Sequence, residues 1–123
     1  MKAFALLTFA LLASPSAFAF DLQELAGKYK VTHPDFPVET IITLDAEGKI
    51  RLDETSPMGE GVCEGTAVLD GAVLRSSVTC DNGRAFTQEI DLRGVSFFSP
   101  TFRAPVYSSL YKTSIVMDFR RWE

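Results

Sequence analysis

Imidazole is almost missing from this chain: His33 is the one histidine in 123 residues. A Ser-His-Asp arrangement would have to use it, yet it precedes Pro34 in a turn-like His-Pro-Asp-Phe-Pro segment. No Gly-x-Ser-x-Gly elbow offers a nucleophile either. Zinc needs three or four nitrogen or sulfur ligands, and one histidine with two cysteines is a poor supply. The alternating acid spacing of a calcium loop is missing too, so Asp53, Glu54, Glu60 and Glu64 read as a solvated stretch. Basic clusters are also lacking. Sixteen Asp and Glu outnumber twelve Lys and Arg, a net charge of −4, which suits neither nucleic acid nor an anionic membrane surface. The composition points away from catalysis, and no catalytic residue, metal or cofactor is expected.

Long apolar runs are confined to the start. Lys2 precedes Ala3–Ala13, which is apolar apart from Thr8; Ser14-Pro15-Ser16 then breaks the helix, and Ala17-Phe18-Ala19 presents small residues before a cut. That order is the secretory signature. The run is too short for a bilayer, which takes about 20 residues, so no membrane span is expected. Residues 1–19 therefore read as a cleaved signal peptide and 20–123 as one domain, exported to the periplasm or the extracellular space. Losing Lys2 would leave eleven basic against sixteen acidic side chains, a net −5.

Export gives the two cysteines a setting. Cys63 and Cys80 in an oxidising compartment are expected to form one disulfide, closing a loop of about 18 residues worth roughly 3 kcal/mol. The rest of the chain has a period of two. Val38, Thr40, Ile42 and Leu44 alternate with Glu39, Ile41 and Thr43, and Asp45-Ala46-Glu47-Gly48 returns the chain into Ile50 and Leu52. Residues 53–61 read as a polar loop. A second hairpin turns near Asp70-Gly71; with those two residues as its turn, Cys63 would face Val78 and Cys80 would lie one diagonal step away. If Gly71-Ala72 is its turn, Cys63 lies opposite Cys80, the register preferred because a disulfide needs Cβ atoms about 3.8 Å apart. Asp81-Asn82-Gly83 marks a third turn, where side-chain parity calls for a bulge or one extra residue. On the last strand Ile115, Met117 and Phe119 share a face.

These signals predict an all-β domain, a small antiparallel up-and-down barrel or a sandwich of 8–9 short strands, with one helical turn at 21–27. Segment 95–111 is the local oddity, rich in aromatics and holding Pro100 and Pro105. Proline keeps part of it out of a central strand. Phe98, Phe102, Arg103 and Tyr107 are the candidate binding residues, because aromatics and Arg dominate recognition surfaces; the competing reading folds them back as a core lid.

The stretch Leu25-Ala26-Gly27-Lys28-Tyr29-Lys30-Val31 resembles the start of lipocalin and related calycin barrels, where a helical turn leads into Gly-x-Trp on the first strand. Tyr29 stands where the tryptophan would be. The resemblance implies a basic residue from the last strand over that aromatic, here Arg120 or Arg121. At this size the chain looks more like the small periplasmic inhibitors of bacterial proteases, which also carry one disulfide. The expectation is thus a monomeric, non-enzymatic binding module for a small apolar ligand, with inward residues such as Ile42, Leu74, Ile90 and Phe119. The alternative is a protein-interaction module, or an inhibitor of a hydrolase or protease.

Overall fold

The structure, a computed structural model, describes residues 21–96 and 99–122. The expected signal segment 1–19, with Phe97 and Phe98, lies outside these described residues. One helical turn, α1 (Leu22–Leu25), precedes eight strands: β1 (Gly27–Thr32), β2 (Glu39–Leu44), β3 (Lys49–Ser56), β4 (Gly59–Asp70), β5 (Val73–Cys80), β6 (Ala85–Asp91), β7 (Thr101–Ser108) and β8 (Thr113–Arg121). Asp21 caps α1 reciprocally with Glu24: each main-chain N–H donates to the other's carboxylate, at 2.8 and 3.1 Å.

Each strand pairs antiparallel with the next, and β8 pairs back onto β1 through Tyr29↔Arg121 and Val31↔Phe119, closing the barrel. Closure gives every described strand a neighbour on both sides, with β6 and β7 meeting over three residue pairs. The second hairpin has the preferred register. Asp70 pairs with Val73 across Gly71-Ala72, and Cys63 pairs directly with Cys80, to which it is disulfide-bonded. Gly71 takes φ +62° while Ala72 keeps a negative φ, the pattern of a type II′ turn. The third turn has its extra residue: Cys80 N–H bonds the Arg84 carbonyl around Asp81-Asn82-Gly83, which restores Val78↔Phe86.

Two expectations change. Residues 53–61 are not a loop: β3 runs to Ser56 and β4 starts at Gly59, leaving Pro57-Met58 as the turn. Segment 95–111 is in large part strand β7. Pro105 is accommodated because the β6–β7 ladder ends at Ile90↔Val106, next to the residue that has no N–H to donate. The β7–β8 ladder continues through Pro105↔Val116.

Alternation separates the two faces. Inward positions supply the buried core, including Ile42, Leu44, Leu52, Leu74, Ile90 and Phe119. Outward positions carry ion pairs around the wall, among them Lys30–Glu39 (2.9 Å), Arg51–Asp53 (3.0 Å) and Arg103–Asp118 (2.9 Å). These are half exposed, screened by water and individually weak. Apolar inside and charged outside is the reverse of a lipid-embedded barrel. Among the described residues no helix is long and apolar enough to cross a membrane.

Candidate ligand-binding cavity

One end of the barrel is sealed by aromatics. Phe102 and Phe119, paired across β7–β8, stack with centroids 4.9 Å apart and planes 7° from parallel, and Tyr29 meets Phe102 edge-on at 6.3 Å. The Arg121 guanidinium lies over the Tyr29 ring, 5.4 Å from its centroid, and Nη2 donates to the carbonyls of Glu24 and Ala26 at 2.9 and 2.8 Å. One cation thus ties the last strand to the end of α1, where the free carbonyls gather. Between the two arginines, Arg121 takes the packing role, and Arg120 faces outward with Lys30 as its cross-strand partner. The void left at this end is about 20 Å³, little more than one water.

The Tyr29 hydroxyl donates to the Leu25 carbonyl at 2.5 Å. Burial holds its pKa above the ordinary phenol value, with Arg121 opposing part of the rise. A native pKa above the unfolded one means the unfolded chain loses its proton first, so this group lowers stability as pH climbs past about 10. Replacing Tyr29 by Phe should cost about 1 kcal/mol at neutral pH, the net worth of one hydrogen bond. It should also flatten the alkaline decline. Urea melts of both proteins between pH 7 and 11 check the two effects.

The opposite end is open. A cavity of about 680 Å³ runs down the barrel axis from a mouth framed by the β1–β2, β3–β4, β5–β6 and β7–β8 turns. That volume is within the usual range for small-molecule sites, about 300–1,000 Å³. Its walls are mainly apolar: Val31, Ile42, Leu52, Phe86, Val106 and Ile115 among them, with the Cys63–Cys80 disulfide also facing in. Thr40, Ser56, Gln88, Ser108 and Thr113 interrupt the apolar wall. Around the opening Phe36, Met58 and Tyr111 stand 63, 95 and 70% exposed, one from each of three turns. At the same end lie His33, Glu54, Asp81 and Arg84.

The sequence-derived candidates are not gathered at this mouth. Phe98 is outside the described residues. Phe102 points inward at the sealed end; Arg103 and Tyr107 point outward from β7, with Asp118 opposite Arg103 and Ser114 opposite Tyr107. His33 lies in the β1–β2 turn, where Nδ1 accepts the Asp35 N–H at 3.0 Å and the ring tilts against Phe36. The acids of 53–64 diverge as well. Asp53 and Glu64 meet Arg51 on the outer face, whereas Glu54 faces the cavity. Among the described residues no three His, Cys, Asp or Glu side chains converge as a metal site. Reasoning along the sequence missed Phe36, Met58, Gln88 and Ser108. The signal that could have found the last two is polarity at an inward position of an otherwise apolar alternation.

No protein family, curated protein or solved structure matches the chain. The fold itself, an eight-stranded antiparallel closed barrel, is compatible with a lipocalin-like or calycin-like architecture.

Proposed function

We propose that the chain is a non-enzymatic binding protein of calycin type, exported and monomeric, that encloses one small and largely apolar ligand in its barrel. The observation that carries the reading is the 680 Å³ cavity, apolar in its walls and sealed at the other end by Tyr29, Phe102 and Phe119. A core of this size filled for stability alone would close both ends, since an empty apolar space forfeits packing contacts. Export is supported by the pattern of residues 1–19 and by the Cys63–Cys80 disulfide. Titration of the purified protein with the uncharged fluorophore 1-N-phenylnaphthylamine tests the reading. One saturable site per chain is expected, and a purely non-saturable rise in fluorescence would contradict it.

A second reading, docking of a protein partner or protease inhibition, is favoured by one observation. The exposed Phe36, Met58 and Tyr111 encircle the mouth, and apolar tips of this kind form interface anchors. In the favoured reading the same residues form the entry through which an apolar molecule leaves water.

A further inference from the structure

The barrel interior holds polar side chains that its own residues leave unused. Ser76 on β5, Gln88 on β6 and Ser108 on β7 are direct neighbours across the ladders. Alternation turns all three inward, with Val78 and Phe86 toward the mouth and Leu74 and Ile90 toward the sealed end. Ser76 and Ser108 are only 6 and 7% exposed. Ser108 Oγ accepts the Leu110 N–H at 3.2 Å, which leaves its own O–H without an acceptor among the described residues. The Ser76 hydroxyl and the Gln88 amide make no side-chain hydrogen bond to any described residue. For the two buried serines an unpaired polar group costs about 1–3 kcal/mol, whereas Gln88 is half-buried and faces the open cavity.

What such a row can recognise follows from what surrounds it. The ionisable groups lining the cavity lie at the mouth, in its turns or, for Glu54, near the mouth end of β3. A charged group carried down to Gln88 would lose its water and meet no counter-charge, a costly transfer. The partner is therefore uncharged. Ser108 O–H and the Gln88 –NH₂ are donors for one acceptor, and Gln88 Oε1 is an acceptor for one donor. A carboxamide offers both.

Resting on the apolar-ligand reading above, we propose that the ligand carries an uncharged carboxamide held by Gln88 and Ser108. Its apolar parts lie against Phe86 on one side and Ile90 and Val106 on the other. The row is then the specificity-determining feature of the cavity, and the apolar walls supply the general affinity.

The test compares two probes of similar size, N-phenylbutanamide and pentylbenzene, by calorimetric titration of the full chain and of Gln88→Leu. The amide should bind the variant about tenfold more weakly, the value of one hydrogen bond, while pentylbenzene binds equally or more tightly. Thermal melting of the variant should match or exceed the wild type, because a half-buried amide in a largely apolar wall has been replaced by an apolar side chain. Should Gln88→Leu melt lower, Gln88→Met carries the same expectation. Pentylbenzene binding with an amide affinity blind to both substitutions overturns the carboxamide proposal and leaves the cavity reading standing; a row that serves only a trapped water gives this result. Binding of neither probe by the wild type overturns both.

Discussion

Gly65→Ala is expected to cost about 3 kcal/mol or more, lowering the melting temperature by roughly 10–20 °C. Gly65 sits mid-way along β4, opposite Val78, one inward position from Cys63. A Cβ built there overlaps the Ser77 carbonyl oxygen and stands 2.8 Å from the Val78 Cα. Those are backbone atoms of the neighbouring strand, so no side chain can swing aside. Relief requires β4 and β5 to part, at the sacrifice of ladder hydrogen bonds beside the disulfide. Gly61 provides the control on the same strand, because a Cβ there finds its nearest atom, Asp81 Oδ1, 3.9 Å away. Gly61→Ala should melt within a few degrees of the wild type. Differential scanning calorimetry of the two variants decides the matter, and equal melting temperatures would remove the close approach as an explanation for glycine at 65.

The double substitution Cys63→Ala, Cys80→Ala is the second large effect, a loss of about 3 kcal/mol. The cysteines are separated by 17 residues, and cross-linking a loop of that length removes entropy mainly from the unfolded chain. In the native barrel the pair is already opposed by the ladder, so the substitution leaves the fold in place. Two observables separate this from a packing defect. The wild type should lose the same stability when melted in reductant, and the double variant should be indifferent to reductant. A wild type whose melting ignores reductant under conditions that demonstrably cleave the bond would contradict the account.

Much of the barrel was legible because inward and outward residues alternate. Val38 to Leu44 and Ile115 to Phe119 show their buried faces directly, and the pairing of Cys63 with Cys80 selects Gly71-Ala72 over Asp70-Gly71 as the turn. The failures share a physical cause. A cup open at one end must turn polar where its inner wall meets water, so Glu54 and Ser56 broke the apolar alternation of β3 and made a strand look like a loop. Pro100 does lie outside β7, but Pro105, which pointed to a loop or an edge, sits within it, because the place where the β6–β7 ladder stops is a tertiary fact. The candidate binding residues are spread apart for a related reason. Phe102 and Arg103 are adjacent in sequence, and that adjacency puts them on opposite faces of β7. Conversely Phe36, Met58 and Tyr111 belong to three separate turns and meet only once the barrel closes.

The proposed ligand site is the space inside the barrel. Filling that space and repeating the 1-N-phenylnaphthylamine titration tests the placement. Thr113 and Ile115 are successive inward positions on β8, and both line the cavity. In the variant Thr113→Trp, Ile115→Trp the probe should bind at least tenfold more weakly while the melting temperature stays within a few degrees of the wild type. Undiminished binding by a folded, filled barrel would place the probe elsewhere and contradict the account.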